Sequence, residues 1–231
     1  MHSPLGTGRP VLVFDVLGTL VDQAGSLAVQ VREAAGLDDA AARRVVARWL
    51  ADVAEQERAV VDGRRPFAPS HELDREALDR LAADGSVPAS AAERLATSAE
   101  RLRPWPDTVA GLERLARDAT LVGLSNASRR ALAGLSTGAG LRWHQLLSAQ
   151  DVGSYKPDPA LYAAALDVAP SGVGVPVMVA AHAWDLRAAA AAGMRTAYVP
   201  RPDGDPPRED DRFDLHATDL ADLHARLVAD L

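Results

Sequence analysis

The sequence predicts an α/β protein in which a doubly wound parallel sheet is interrupted by an all-helical insertion. Two observations predict the sheet: short apolar, β-branched runs alternate with helical patterns along residues 104–231, and a similar run stands near the amino terminus. A third observation predicts the insertion, because residues 22–103 contain helical patterns and no strand signal. We therefore expect a core domain built from residues 1–21 and 104–231 and a helical domain built from residues 22–103.

The first predicted strand is the apolar run at residues 11–14, which ends in the carboxylate of Asp15. A short β-branched run of this kind is typical of a strand buried on both faces of a parallel sheet. Ligands of open α/β sheets bind at the carboxyl ends of the strands, where Asp15 would lie. An aspartate in front of Gly18 and Thr19 is equally typical of a turn cap, so its function depends on the rest of the chain.

The insertion contains three helical patterns. Residues 43–61 repeat apolar side chains at helical spacing around Trp49, which predicts one buried stripe. Two further patterns, over residues 72–83 and 89–102, predict shorter amphipathic helices. The segment Pro104-Trp105-Pro106 breaks the pattern and ends the insertion.

After the insertion, strand and helix patterns alternate. The predicted strands are residues 120–124, 145–148, 176–181 and 195–199. The predicted helices are residues 108–117, 128–135, 159–167, 185–192 and 219–231. Asp158 and Pro159 suit the N-cap and the first turn of a helix, and Gly193 is typical of a helix end. This alternation predicts a parallel, doubly wound sheet.

The composition excludes several classes of site and partner. The 231 residues carry a formal net charge of -7, which argues against nucleic acid or an anionic membrane surface as a partner. The lack of cysteine excludes disulfides, thiolate metal sites and cysteine nucleophiles. No run approaches the roughly 18 apolar residues of a membrane span, and the start of the sequence has no signal-peptide pattern. We expect a cytoplasmic enzyme or binding protein.

Polar side chains stand at the ends of several predicted strands, and a lysine begins a helix after another. These residues are Asp15, Ser125, Asn126, Lys156, His182 and Asp185. Each alone fits a plain structural role, such as a turn, a surface lysine or a helix cap. Because parallel strands place their carboxyl ends at one edge of the sheet, we expect these side chains to converge in one site.

Four segments of the chain resemble, in order, the four motifs of the haloacid dehalogenase superfamily. They are Asp15-x-x-Gly18-Thr19-Leu20, Ser125-Asn126, Lys156-Pro157-Asp158 and Ala183-Trp184-Asp185. The resemblance covers nearly the whole chain, including the helical insertion after the first motif. It implies a Rossmann-like core with an inserted helical cap, and it implies that Asp15 is the nucleophile.

Two positions favour a dehalogenase over the phosphatases of this superfamily. Phosphatases carry an acid two residues after the nucleophile and a magnesium-binding aspartate four residues before the position of Asp185, where this chain has Leu17 and Ala181. Without those carboxylates, proton donation to an alkoxide and much of the charge that binds a hard cation are lost. A magnesium-dependent phosphatase-like hydrolase is therefore the alternative, and a catalytically weak binding protein is a third interpretation.

Trp184-Asp185 and Tyr162 are similar to the corresponding residues of L-2-haloacid dehalogenases, also called (S)-2-haloacid dehalogenases. The resemblance implies a hydrolase of small anionic 2-haloalkanoic acids that forms an ester on Asp15, inverts the halogenated carbon and releases a 2-hydroxy acid. Halide leaves without needing a proton, which suits covalent catalysis by a carboxylate. The resemblance also implies a homodimer, and we expect no metal and no other cofactor.

The resemblance implies a role for each residue near the nucleophile. Lys156 would keep Asp15 ionised and offset the charge of an oxyanion, and Thr19 would hydrogen-bond Asp15. Asp185 and Tyr162 would position Lys156 and the hydrolytic water.

Other residues are expected to contact the substrate. Ser125 would bind its carboxylate, Asn126 would cradle the departing halide, and Trp184 and Phe67 would supply apolar wall. The set expected on this side of the site is Leu17, Arg48, Ser125, Asn126, Tyr162 and Trp184.

The segment before Trp184 departs from the dehalogenase pattern. It reads Ala180-Ala181-His182-Ala183 where the family has Ser-Ser-Asn-Ala, so His182 replaces an asparagine. Histidine suits general-base catalysis near neutral pH. We therefore hypothesise that His182 activates the water that hydrolyses the ester, with a purely structural role as the alternative.

The cap arginine with which family members bind halide has two candidate positions in this chain. Matching on Trp49 places Leu50 there, whereas counting back from Phe67 places Arg48 there. We expect Arg48, with an ordinary solvated helix arginine as the alternative.

Overall fold

A six-stranded parallel sheet forms the centre of the fold. The computed structural model describes residues 8–170 and 173–229. Its strands are β1 (Val11–Phe14), β2 (Val21–Asp22), β3 (Arg103–Pro104), β4 (Thr120–Ser125), β5 (Gln145–Ser148), β6 (Val177–Ala180), β7 (Arg195–Tyr198) and β8 (Leu215–His216). The sheet runs in the order β5-β4-β1-β6-β7-β8, with every neighbouring pair parallel. Strands β4 and β5 lie on one side of β1, and β6, β7 and β8 lie on the other. Because the strand order reverses at β1, a crevice opens at its carboxyl end.

Strand β1 is buried on both faces, as its continuous apolar sequence predicts. Leu12 and Phe14 belong to the apolar cluster on one face of the sheet, and Val11 and Val13 to the cluster on the other. All four side chains are at most 1% exposed. A carboxylate directly after such a strand leaves water on folding, which is costly unless a cation or hydrogen-bond donor meets it. We therefore expect a cation or a hydrogen-bond donor next to the carboxylate of Asp15.

Helices cover both faces of this sheet and form the insertion. They are α1 (Gln23–Ala35), α2 (Asp39–Val61), α3 (Ser70–Ala83), α4 (Ala89–Leu95), a 3-10 helix (Ser98–Arg101), α5 (Thr108–Leu115), α6 (Arg129–Ala139), α7 (Ala149–Val152), α8 (Pro159–Asp167), α9 (Ala183–Ala191) and α10 (Leu220–Ala229). Asp158 caps α8 by accepting a hydrogen bond from the Ala160 amide at 2.9 Å, with Pro159 in the first turn. The predicted α/β class with a parallel sheet is confirmed.

The insertion stands between β2 and β3, which pair antiparallel through Val21 with Pro104 and Asp22 with Arg103. This short ladder brings the two ends of the helical segment together beside the crevice. It was absent from the sequence prediction because two residues are too few to show alternation. Helix α1 was also absent from it: Asp22 caps this helix through the Gly25 amide, but a glycine in the first turn weakens the helical signal. The division into two domains stays a prediction.

The remaining differences lie in one predicted helix, in short elements and at the ends of the chain. The helix predicted over residues 89–102 ends at Leu95, and a separate 3-10 helix follows it. Helix α7 and strand β8 have four and two residues, less than a periodic pattern needs. Residues 1–7 of the predicted core domain and residues 230–231 of the predicted last helix lie outside the described residues. Across residues 8–170 and 173–229, every helix is too short or too polar to cross a membrane.

Candidate active site

The crevice at the carboxyl end of β1 gathers the polar residues that follow the parallel strands. Asp15 directly follows β1, Ser125 ends β4, and Asp185 lies in the first turn of α9, just after β6. Lys156 reaches the same point from the segment before α8. The convergence expected from the sequence is therefore present in the structure.

Lys156 lies between two buried carboxylates. Its Nζ donates to Asp15 Oδ1 at 2.9 Å and to Asp185 Oδ2 at 2.6 Å. The hydroxyl of Thr19 donates to the other oxygen of Asp15 at 2.5 Å and accepts from the Ala181 amide at 2.9 Å. The four residues are at most 6% exposed. Both carboxylate oxygens of Asp15 therefore accept a hydrogen bond, as buried polar atoms must if their burial is not to destabilise the fold.

These contacts decide the charge of the nucleophile. Burial alone would raise the pKa of Asp15, but the charge of Lys156 and the hydrogen bond from Thr19 hold that pKa below its ordinary value. Burial would likewise lower the pKa of Lys156, yet the two carboxylates raise it. Burial and the charge of Asp15 raise the pKa of Asp185. Asp15 is thus an ionised carboxylate beside a fixed ammonium.

Tyr162 lies behind this group and away from the cavity. Its fully buried hydroxyl donates to Asp185 Oδ1 at 2.6 Å. Burial and Asp185 raise its pKa well above the ordinary value for a phenol, so it remains a hydrogen-bond donor. The expectation that Tyr162 contacts the substrate is wrong, because the side chain is enclosed in the core. It is placed to orient Asp185 and, through Asp185, Lys156.

A cavity of about 180 Å³ opens above the nucleophile. Its lining residues are Asp15, Leu17, Gln23, Leu50, Val53, Ala54, Glu57, Ser125, Asn126, Lys156, His182 and Trp184. This volume suits a molecule of only a few heavy atoms. Five residues expected from the sequence to contact or activate the reactants thus face one space: Leu17, Ser125, Asn126, His182 and Trp184. Phe67 instead packs against Tyr155, with ring centroids 5.2 Å apart.

Asn126 connects the insertion to the core. Its side-chain amide donates to Glu57 Oε2 at 2.9 Å, and its carbonyl accepts from the backbone amide of Lys156 at 2.9 Å. Its neighbour Ser125 accepts from the Ala127 amide at 3.1 Å, which leaves the hydroxyl proton of Ser125 for a ligand. Asn126 therefore lines the cavity with both of its polar ends already bonded.

Arg48 lies outside the site, so the expected cap arginine is wrong. Its guanidinium donates to Ser86 Oγ at 2.6 Å and to the Asp84 carboxylate, and the side chain is 56% exposed. At about 100° per residue, position 48 of α2 faces away from positions 50, 53, 54 and 57, which line the cavity. Leu50, the other candidate, occupies the cavity-facing position.

Glu57 is a site residue that sequence analysis missed. It lines the cavity from α2, and burial raises its pKa to about 7, an effect that the hydrogen bond from Asn126 opposes. The available signal was a charged residue on the face that Leu50, Val53 and Ala54 share at helical spacing. That signal alone does not reveal that this face meets the crevice.

His182 approaches the nucleophile over a glycine. Its Nε2 lies 3.8 Å from Asp15 Oδ2 and 3.3 Å from the carbonyl oxygen of Leu17, and its ring stacks on Trp184. A Cβ at Gly18 would come within 2.6 Å of this Nε2, and Gly18 has a φ of +80°. The motif glycine therefore makes room for the histidine as well as for the turn.

Metal ligands are sparse at this site. Throughout the described part of the chain, His, Asp and Glu side chains form no group of three that could hold a metal ion. Leu17 lines the cavity with an apolar side chain, and Ala181 is fully buried. The carboxylates of Asp15 and Asp185 are already bonded to Lys156. Independence from metal and cofactor stays a prediction.

The sequence has recognisable relatives. The family model described as haloacid dehalogenase-like hydrolase matches residues 10–193. An (S)-2-haloacid dehalogenase 1 from Pseudomonas sp. (strain CBS-3) is 31% identical over 198 residues, which are 82% of this chain and 83% of the relative. An (S)-2-haloacid dehalogenase from Pseudomonas fluorescens is 31% identical over 119 residues, and that match spans 48% of this chain and about half, 51%, of the relative.

Solved structures agree with the sequence matches over nearly the whole chain. The crystal structure of an L-2-haloacid dehalogenase has a TM-score of 0.84 and 34% identity, covering 96% of this chain and 100% of the other. The L-2-haloacid dehalogenase from Xanthobacter autotrophicus with chloropropionic acid covalently bound has a TM-score of 0.77 and 25% identity, covering 96% and 99%. Together with the four motifs in one crevice, these matches place the chain: it belongs to the haloacid dehalogenase-like hydrolase family.

Proposed function

We propose that this protein is a hydrolytic dehalogenase that converts small 2-haloalkanoic acids into 2-hydroxy acids through an ester at Asp15. The observation that carries the proposal is the ionised Asp15, bonded to Lys156 at 2.9 Å, in a small cavity where Leu17 replaces a proton donor. The names of the relatives support the same activity, and the Xanthobacter enzyme with covalently bound chloropropionic acid supports an ester intermediate.

In the first half-reaction, a carboxylate oxygen of Asp15 attacks the carbon that bears the halogen. The new carbon–oxygen bond forms as the carbon–halogen bond breaks, and the halide leaves with the bonding electrons. Attack from the side opposite the halide inverts that carbon. Lys156 and Thr19 hold the carboxylate in place, so little orientation remains to be achieved in the transition state. No proton transfer is needed, which agrees with the apolar Leu17.

In the second half-reaction, water attacks the ester carbonyl carbon of Asp15. The negative charge of the tetrahedral intermediate develops beside the donors Lys156 and Thr19, which stabilise it. Cleavage of the bond between that carbon and the alkoxy oxygen releases the 2-hydroxy acid and restores Asp15. One oxygen of the regenerated carboxylate then derives from water, and the hydroxyl oxygen of the product derives from Asp15.

A base must take a proton from the attacking water, and His182 is our candidate. Both oxygens of Asp185 are bonded, to Lys156 and to Tyr162, so this carboxylate is poorly placed for the task. His182 Nε2 lies 3.8 Å from Asp15 Oδ2, close to the ester carbon yet beyond a direct hydrogen bond. The nitrogen can serve as base in the tautomer that carries its proton on Nδ1, and in that tautomer it gives up its hydrogen bond to the carbonyl oxygen of Leu17.

Halide release from (S)-2-chloropropionate in the presence of a metal chelator tests the proposal. We expect release by the wild-type protein and none by the Asp15→Asn variant, with (R)-lactate as the product. In a single turnover in labelled water, the label should enter Asp15. Activity only on phosphate esters and only with magnesium would support the phosphatase-like alternative, and no turnover of either class would support a binding protein. A homodimer and a cytoplasmic location stay predictions.

A further inference from the structure

Glu57 brings a second carboxyl group into the cavity of the nucleophile. It projects from α2 in the insertion, whereas Asp15 belongs to the core, so a bound molecule would lie between the two. The Asn126 amide fixes one of its oxygens at 2.9 Å. Since Asn126 is bonded in turn to the Lys156 backbone, the carboxyl group is held at a fixed place beside Ser125 and Asn126.

The charges around this cavity disfavour an anion. Among the residues lining it, Lys156 is the one fixed cation, and Asp15 and Asp185 already share it. Arg48 is bonded to Asp84 elsewhere. Glu57 also lines an adjoining cavity of about 50 Å³ together with Asp74, a half-buried carboxyl group that accepts a hydrogen bond from the Trp49 indole at 2.8 Å. A substrate carboxylate that entered beside an ionised Glu57 would therefore meet uncompensated negative charge.

If Glu57 is neutral, its negative charge no longer repels a substrate carboxylate. A protonated carboxyl group offers one O–H donor besides its acceptor oxygens. With one oxygen anchored by Asn126, the O–H is available to a carboxylate in the same cavity. Burial favours this neutral form by raising the pKa of Glu57 to about 7.

We propose that Glu57, as the neutral acid, donates its proton in a hydrogen bond to the carboxylate of the substrate and so anchors that carboxylate from the side of α2. Glu57 is then a specificity-determining residue, and the substrate anion binds together with one proton. The inference rests on the proposed 2-haloalkanoic acid substrate, whose carboxylate Ser125 would also contact.

Other titratable groups face Glu57, and an experiment has to distinguish their protonation from the protonation of Glu57. They are Asp74 on α3, Arg58 on α2 itself, and Asp15, Lys156 and His182 of the core. Glu57→Gln removes only the titration of Glu57, keeps a neutral N–H donor and still accepts from Asn126. Glu72→Gln is the matched control, because Glu72 is exposed on α3 and the variant makes the same chemical replacement and the same change in formal net charge.

Titration calorimetry with propionate tests the inference without any turnover. Measurements in two buffers with different ionisation enthalpies report the protons taken up on binding. For the wild-type protein and Glu72→Gln at pH 8, we expect uptake of about one proton and a Kd about tenfold higher than at pH 6, because only the protonated fraction binds. For Glu57→Gln, we expect a Kd independent of pH and no uptake.

Three results would overturn the inference. The first is propionate binding to the wild-type protein without proton uptake, and the second is no binding at all at pH 6. The third is unchanged proton uptake in Glu57→Gln. Neither result bears on ester formation at Asp15, which halide release and labelling measure separately.

Discussion

At the residue level, one buried ammonium serves two carboxylates. Lys156 lies 2.9 Å from Asp15 and 2.6 Å from Asp185, and all three side chains are nearly or fully buried. Such a group is stable only while it is complete, because each member would otherwise be a desolvated, unpaired charge. The same contacts that make Asp15 tolerable in the core therefore also keep it ionised as a nucleophile.

The first prediction concerns the charge of Lys156. In Lys156→Gln the pKa of Asp15 should rise, since its main compensating charge is gone and burial remains. Protonated Asp15 cannot attack carbon, so the acid limb of the pH–rate profile should move to higher pH. We also expect kcat/KM to fall by about 10²- to 10³-fold, the usual effect of removing one donor to an oxyanion. An acid limb at the wild-type pH would contradict this role.

The second prediction concerns His182. The variant His182→Ala should release halide in a burst and then accumulate the Asp15 ester, because only the hydrolytic step needs a base. Rapid-quench mass spectrometry of the intact protein would detect the added acyl mass. We expect turnover to fall by about 10²-fold or more. Unchanged steady-state turnover would leave His182 with a structural role at Gly18.

At the level of elements, the rotation of α2 decides which of its side chains enter the site. The helix has 23 residues, and only the face with Leu50, Val53, Ala54 and Glu57 meets the crevice. Arg48 points to the opposite side and pairs with Asp84. Arg48 and Leu50 are two positions apart, so their side chains point in directions that differ by about 200° around the helix axis. The sequence match alone therefore could not decide which of the two faces the cavity.

The third prediction follows from this orientation. In Arg48→Ala, KM for (S)-2-chloropropionate should stay within about twofold of the wild-type value. The lost contacts are exposed, and exposed ion pairs contribute about 0–1 kcal/mol. Steady-state kinetics on the purified variant, with Leu50→Arg as a companion that places a guanidinium toward the cavity, provides the measurement. A KM increase of tenfold or more in Arg48→Ala would show that the arginine does reach the substrate.

At the level of the whole molecule, folding removes two carboxyl groups of the insertion from much of their contact with water. Burial raises the pKa of Glu57 from 4.5 to about 7 and that of Asp74 from 3.8 to about 6. A folded-state pKa above the unfolded value means that the native protein binds more protons than the unfolded chain between the two values. The stabilising contribution of each group is therefore complete below its unfolded pKa and is lost as pH rises through its folded pKa.

The fourth prediction is a pH dependence of the unfolding free energy. Relative to Glu57→Gln, the wild-type protein should lose about 3 kcal/mol between pH 4.5 and pH 7, from a shift of about 2.5 pH units at 1.36 kcal/mol each. Urea unfolding at several pH values measures this difference, and Glu72→Gln should follow the wild-type curve. Parallel curves for Glu57→Gln and the wild-type protein would mean that the carboxyl group stays hydrated in the native state.

Much of the core was predictable because its signals are local. The run at residues 11–14, the alternation after residue 104 and the four motifs can each be recognised within a short stretch of sequence. Parallel strands then bring Asp15, Ser125, Lys156 and Asp185 to one edge. The short strands β2, β3 and β8 were not predictable, because pairing with other strands stabilises them rather than their own pattern. Helix α7 was not predictable because its four residues are too few to show a period.

The sequence by itself determined the α/β class, the order of the motifs and the identity of the groups at the carboxyl ends of the strands. Only the tertiary structure decided where three other side chains lie: Tyr162 stands behind Asp185, Arg48 faces solvent, and Glu57 faces the cavity. The physical reason is that periodicity identifies the faces of a helix but does not specify which neighbour each face meets. That choice depends on how the whole of α2 packs against α1 and α3 and over the crevice.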